Sequence, residues 1–187
     1  MPFNNDYYLQ EMMDTFIRDN EVELLIETGT YKGDTTRYLA THNKPVITTE
    51  LVEELYKEAC DNTKEHANIT ALLGDSTTLL QPLLPSNNEK VFFFLDSHGA
   101  NDRSLDRELD LIAESNITPF IAIHDFLVPG TSLGYDSHDG QAYSFEVFKD
   151  RFDKIYKQFG GYVYHYNDDK AVGSRRGCIF LKPLPKK

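Results

Sequence analysis

Cysteine is scarce in this chain. The two that occur, Cys60 and Cys178, lie far apart and match no metal-ligand spacing. Disulfide-stapled scaffolds are dense in cysteine, so this scarcity predicts a fold held by its own core in a reducing compartment. Long apolar runs are missing as well, and nothing approaches the roughly 20 residues that span a bilayer. The opening stretch MPFNNDYYLQEMM has neither a basic start nor an apolar run, so no signal peptide is expected. Positive charge is in short supply: 19 Lys and Arg against 30 Asp and Glu leave a net charge of −11. Nucleic acid and anionic membrane are polyanions that repel such a chain, so neither is an expected partner. Repeats, low-complexity tracts and linker-like boundaries are also absent. Together these absences predict a soluble cytoplasmic protein with one domain over residues 1–187, its acidity serving solubility.

What is present suits a folded core. Apolar residues make up 40% and aromatics 12% of 187 residues, which excludes a disordered chain. Short apolar runs alternate with helical patterns. Tyr8, Leu9, Met12, Met13, Phe16 and Ile17 recur at helical spacing and predict an N-terminal helix within residues 1–21. Strands are expected in VELLIETG, PVITTE, NITALLGDS, VFFFLDSH and TPFIAIHDF. Between them lie helical patterns: one capped by Asp34, one with Leu51, Leu55 and Ala59 on a face, a short one in TTLLQPLL, and one with Leu105, Leu109, Ile112 and Ala113 inward. A loop is expected at 85–88. Strands alternating with helices mean a parallel, doubly wound α/β sheet, and near-continuous apolar strands imply cover on both faces. The pattern then changes. A Gly-rich stretch, 128–143, precedes a helix carrying Phe145, Phe148, Phe152, Ile155, Tyr156 and Phe159. YVYHYND and GCIFLKP read as a closing antiparallel strand pair.

Glycine placement gives the first chemical signal. LLIETGTYKGDTT reads as strand, tight turn and helix start, where turn N–H groups and the helix dipole can receive an anion. A dinucleotide fingerprint needs a second glycine where Tyr31 stands, and a phosphate-binding P-loop needs Gly-Lys-Ser/Thr, which is absent. Glu50 ends the second strand, where a carboxylate can take two ribose hydroxyls. Asp75 and Ser76 end the third, where they can meet an adenine amino group. Asp96 ends the fourth.

This ordered set, E-x-G-x-x-x-G, Glu, Gly-Asp-Ser and Asp after strands one to four, resembles class I S-adenosylmethionine-dependent methyltransferases over about Glu23 to Phe126. The resemblance implies a Rossmann-like, mostly parallel seven-stranded sheet with an antiparallel C-terminal pair. It implies a cofactor surface of Glu27, Thr28, Gly29, Thr30, Tyr31, Gly33, Thr35, Glu50, Leu51, Asp75, Ser76 and Asp96. Glu27 and Gly29 would face the methionine part, Glu50 the ribose, and Asp75 and Ser76 the adenine.

The fourth and fifth strands end in Asp96-Ser97-His98 and His124-Asp125. This pair resembles the cation-dependent, catechol O-methyltransferase-like enzymes, in which acids at these ends hold a divalent ion, usually Mg²⁺. The resemblance carries over Asp96 and Asp125 as metal ligands. It departs from the pattern at Phe126, where an amide ligand is expected, and at Gly99, where a lysine is expected. Asp96, His98 and His124 are the catalytic candidates, because histidine titrates near working pH and Asp96 needs a partner at the end of an apolar strand. His98, followed by Gly99, Asn101 and Asp102, reads as exposed, whereas His124 divides evenly between a structural and a catalytic role. His42, His66 and His165 fall outside the cluster.

The expected activity is methyl transfer to a hydroxyl of a small acceptor, a sugar or a phenol, with or without a divalent cation. The wall of the acceptor site would come from the 127–143 loop, with Tyr135, Asp136, His138 and Tyr143, or from a second subunit of a homo-oligomer. A non-catalytic S-adenosylmethionine-binding or scaffold protein is the alternative. A nicotinamide-dependent oxidoreductase fits less well, given Tyr31 and the closing strand pair.

Overall fold

The computed structural model describes residues 2–85, 88–98 and 103–185. Five strands come first: β1 (Leu24–Thr28), β2 (Val46–Glu50), β3 (Ile69–Leu73), β4 (Lys90–Leu95) and β5 (Thr118–His124). They pair in parallel, as the alternation with helices predicts. Two further short strands, β6 (Ser137–His138) and β7 (Gln141–Ala142), form a hairpin of their own inside the stretch expected to be loop. The closing pair, β8 (Tyr162–Tyr166) and β9 (Cys178–Pro183), is antiparallel and joins the main sheet through β5. The seven-stranded sheet has the order β3-β2-β1-β4-β5-β9-β8. Chain order reverses between β1 and β4, and open α/β sheets bind ligands beyond the strand ends at such a point.

Six helices flank the sheet among the described residues: α1 (Tyr7–Asp19), α2 (Asp34–Ala40), α3 (Glu53–Thr63), α4 (Ser76–Leu83), α5 (Ser104–Glu114) and α6 (Phe145–Tyr156). Successive strand residues point to opposite faces, which splits β4 between two cores. Phe92 and Phe94 pack with Leu9, Met13 and Phe16 of α1 and with Tyr38 and Leu39 of α2. Val91, Phe93 and Leu95 pack with Leu80, Leu105, Leu109, Phe148 and Phe152 on the α4–α6 side. All three β4 phenylalanines are at most 1% exposed, and truncating one to alanine costs about 3–5 kcal/mol. No helix of the described residues is long and apolar enough to cross a membrane.

Three local expectations are corrected. β3 lies at the sheet edge and is half exposed, so cover on both faces does not extend to it. Leu51 lies before α3 rather than on its face and is 65% exposed, because the chain stays extended through Val52. Asp34 does not cap α2: Gly33 holds the cap position in the left-handed region, and Asp34 pairs with Arg37 inside the helix. Of the expected 85–88 loop, Ser86 and Asn87 lie outside the described residues.

Candidate functional site

A cavity of about 760 Å³ opens at the C-terminal ends of β1, β2, β3 and β4, on the β1/β4 reversal. Its wall brings together Gly29, Thr30, Tyr31, Thr35, Glu50, Leu51, Asp75, Ser76 and Asp96, nine of the residues expected to hold a cofactor. Glu27, Thr28 and Gly33 are not part of the wall.

The turn after β1 is closed by its own hydrogen bonds. The N–H groups of Gly29 and Thr30 both donate to the Thr49 carbonyl, at 3.0 and 3.1 Å. Tyr31 N–H donates to Glu50 Oε2 at 2.7 Å, and Gly33 N–H to the Thr30 carbonyl at 2.9 Å. The expectation that these turn groups receive an anion is therefore corrected: their hydrogens are already taken. Gly29 has a second reason to be glycine. Its φ is +83°, and a Cβ there would sit 2.5 Å from the Asp96 carbonyl oxygen.

Glu50 is the acceptor the wall offers. Its two oxygens take Tyr31 N–H and Val52 N–H, and each keeps a further lone pair. Asp75 caps α4 by accepting from Thr77 N–H and Oγ1, so one oxygen is engaged. Glu27 sits below the turn, 1% exposed. Its Oε2 accepts from Thr36 Oγ1 at 2.5 Å and Thr48 Oγ1 at 2.7 Å, and Thr48 in turn meets Thr30 Oγ1. Burial pushes its carboxyl up to about 8 against the pull of these hydroxyls.

The β4 and β5 ends carry the ionisable cluster. Parallel register sets Leu95 beside Ile123, so Asp96 and His124 emerge side by side. His124 Nδ1 lies 3.1 Å from Asp96 Oδ1 and 3.4 Å from Asp125 Oδ1. Burial opposes a charge on this ring, but Asp96 and Asp125 outweigh it and raise its pKa to about 10. Arg176, two residues before β9, donates from Nε to Asp125 and from Nη2 to Asp136. Asp125 is thereby held below the usual carboxylate range: burial pushes it up, and His124 and Arg176 more than reverse this. His98 is 6% exposed, not the exposed loop residue expected. Its Nε2–H donates to the His124 carbonyl at 2.9 Å and its ring packs edge-on against Tyr143, which leaves Nδ1 buried with no partner among the described residues.

No protein-family model matches the sequence, and no curated protein matches it. Solved structures do. An O-methyltransferase from Bacillus cereus in complex with S-adenosylhomocysteine superposes with a TM-score of 0.57 at 17% identity, over 92% of this chain and 79% of that one. The N-terminal domain of EvdMO1 with S-adenosylhomocysteine bound gives 0.62 at 12% identity, over 94% and 80%. An rRNA methylase from Streptococcus thermophilus gives 0.63 at 11% identity, over 94% and 96%. This is the class I methyltransferase fold. At such identities the likeness is one of fold, and residue roles rest on this chain's own geometry.

Within the methyltransferase fold, the catalytic candidates separate. Asp96 lines the cavity, whereas His98 and His124 do not. No residue of the expected 127–143 acceptor loop lines it either. That segment is stitched to the body instead: Asp136 N–H donates to the Asp125 carbonyl, Gly134 N–H to the Arg175 carbonyl, and Gly177 N–H to the Gly134 carbonyl. Tyr135 is 45% exposed and Tyr143 3%. Gly99, Asn101 and Asp102 lie outside the described residues.

Sequence reasoning missed several wall residues, among them Phe3, Asn4, Thr49, Ser97, Arg103 and Ser104. It also missed Glu108, fully buried beneath the wall. Glu108 Oε1 accepts from Ser76 Oγ at 2.5 Å and Ser97 Oγ at 2.7 Å, and Ser97 meets Ser104 at 3.1 Å. Burial pushes its carboxyl up, with the serine hydroxyls pulling against it. A signal was available: position 108 falls on the inward stripe of Leu105, Leu109 and Ile112, where an acid needs a partner.

Asp96, His124 and Asp125 bring one ligand atom each within 4.8 Å of one another, as a divalent-ion centre requires. Charge and lone pairs tell against an ion there. His124 Nδ1 stands in contact with both carboxylates, and the Asp125 oxygen it faces also takes the Arg176 guanidinium. Mg²⁺ needs free carboxylate oxygens at about 2.0–2.1 Å and near-octahedral space. The set as it stands does not fit one.

Proposed function

We propose that this protein is an S-adenosylmethionine-dependent methyltransferase acting on a hydroxyl of a small acceptor. The observation that carries the reading is the closed turn after β1, bonded to Glu50 on the wall of one cavity. A dinucleotide needs free turn N–H groups for its pyrophosphate. Here four of them are bonded within the protein. A cofactor with a ribose and no phosphate suits this wall, because Glu50 keeps lone pairs for two hydroxyls. Asp75 and Ser76 stand at the far side for an adenine amino group, and exposed Leu51 and half-buried Leu55 supply apolar surface for its ring.

S-adenosylmethionine supplies a methyl group on a sulfonium, and transfer to oxygen breaks the carbon–sulfur bond with its electron pair left on sulfur. The protein's work is alignment and proton removal. Asp96 lines the cavity and is held from behind by His124, so its oxygen not bonded to His124 accepts the acceptor's hydroxyl proton as the new carbon–oxygen bond forms. His124, already paired with two carboxylates, is a positioning residue rather than the base. Small acceptors are favoured over nucleic acid by the wall itself: Asp34, Glu50, Asp75 and Asp96 are acidic, and Arg103 is the basic residue among the described wall residues.

Thermal shift with S-adenosylmethionine, S-adenosylhomocysteine and NAD tests the reading. Both sulfur nucleosides should raise the melting temperature and NAD should not. Absence of a shift with either sulfur nucleoside would sink it. A second reading, a cofactor-binding protein without turnover, draws support from the burial of both histidines away from the cavity. It predicts the same shift with no product across a panel of phenols and sugars.

A further inference from the structure

The β5 end contains a cation of its own. Arg176 comes from the connection between β8 and β9, and Asn167 Nδ2 fixes its backbone by donating to the Arg176 carbonyl at 2.8 Å. Space for its side chain is made by Gly134, where a Cβ would lie 2.8 Å from Arg176 Nη1 and 3.0 Å from Cδ. The guanidinium then spans two acids, Nε on Asp125 and Nη2 on Asp136. Such a fork satisfies planar carboxylates with directed hydrogen bonds that an ammonium cannot reproduce. All three side chains are largely buried, with 17–27% of each exposed, so losing the guanidinium raises the cost of keeping either acid charged there.

Asp125 also has φ of +54°, a conformation a side-chain-bearing residue rarely adopts. Its peptide neighbours hold it there: Asp136 N–H donates to the Asp125 carbonyl, and Phe126 N–H to the Gly177 carbonyl. The backbone therefore delivers the Asp125 carboxylate to the Asp96–His124 pair whatever occupies the far side.

We propose that Arg176 is the resident cation of this site, and that it keeps closed a latent divalent-ion centre formed by Asp96, His124 and Asp125. With Arg176 in place, the Asp125 oxygen near His124 is shared between two nitrogen donors and has no lone pair to give a metal. With Arg176 removed, Asp136 loses its counter-charge, Asp125 keeps His124 alone, and three ligand atoms within 4.8 Å of one another are left for an ion.

Mn²⁺ is the probe, titrated into wild-type protein and into Arg176→Gln, with the free-ion EPR signal and the melting temperature as readouts. Wild type should bind no equivalent of Mn²⁺ at up to about 1 mM and should show no shift. Arg176→Gln should melt lower, take up one equivalent, and recover melting temperature as Mn²⁺ is added. Asp125→Asn on that background should abolish the uptake, and Arg176→Lys should take up less than Arg176→Gln. Stoichiometric binding by wild type that Asp125→Asn removes would overturn the proposal, and this holds even if Arg176→Gln does not fold. A folded Arg176→Gln without uptake would overturn it equally. Neither readout depends on methyl transfer, so this proposal and the proposed activity fail separately.

Discussion

The two halves of the site are built on opposite plans. The half at β1–β3 is built on backbone groups satisfied by the Thr49 and Thr30 carbonyls and the Glu50 carboxylate, with Asp34, Glu50 and Asp75 on the cavity wall. The half at β4–β5 is made of charged side chains that neutralise one another: Asp96 with His124, His124 with Asp125, Asp125 with Arg176, Arg176 with Asp136. A wall of the first kind binds by shape and a few hydrogen bonds, and tolerates changes in solution conditions. A wall of the second kind is set by charge balance, and removal of one member leaves another buried and unpaired. The difference teaches that, on the proposed function, affinity for the cofactor and competence for the acceptor step should be separable.

Substitutions should expose that separation. Asp96→Asn should lower kcat by about a thousandfold, in the range general-base removal gives, while S-adenosylhomocysteine affinity measured by calorimetry stays within about threefold. A comparable loss of both would merge the two halves. Glu50→Ala should do the reverse, weakening S-adenosylhomocysteine about ten- to a hundredfold, equivalent to about 1.4–3 kcal/mol, by removing the ribose acceptor and two hydrogen bonds of the wall. The floor beneath the first half should announce itself through pH. Glu27 is protonated in the folded protein up to about 8 but ionises near 4.5 when exposed. Between those values the folded state binds the extra proton, so this group's contribution to stability falls as pH rises, by about 1.4 kcal/mol per pH unit. Denaturant unfolding of Glu27→Gln should lack that component of the slope, and an identical slope in wild type and variant would refute it. The smallest effect belongs to Glu108, which supports both halves through Ser76 and Ser97. Glu108→Gln keeps an acceptor for the serines and should cost under about 1 kcal/mol, whereas Glu108→Leu removes the acceptor that Ser76 and Ser97 share and should cost about 1–3 kcal/mol.

Legibility in the sequence followed the same division. The strands announced themselves because apolar runs such as VFFFL have no other stable place, and an acid ending such a run marks the sheet edge where ligands gather. Glu50, Asp75 and Asp96 were found that way. Residues that act across the sheet left no such trace. Arg176 reaches Asp125 over 51 positions, and nothing around SRRGC distinguishes that arginine from a solvated one. Phe3 and Asn4 reach the cavity through a left-handed turn in which both have φ near +50°, a conformation no spacing rule anticipates. Helical periodicity also misplaced Leu51, because the Glu50 carboxylate takes Val52 N–H and holds the chain extended for two more residues. Gly33 and Asp34 exchanged roles for a similar reason: the turn needed a left-handed residue where a side-chain cap was expected.

Position 29 has a bearing on how this chain can diverge. A hydrogen is the largest substituent that fits between its Cα and the Asp96 carbonyl, so drift there is barred by sterics whatever the ligand. Tyr31 and Leu51, exposed on the rim of the same cavity, are under no such bar. Descendants of this sequence should therefore keep an invariant residue at 29 while sampling many at 31 and 51. New acceptor or cofactor preferences would then arise at the rim, leaving the junction of β1 and β4 untouched.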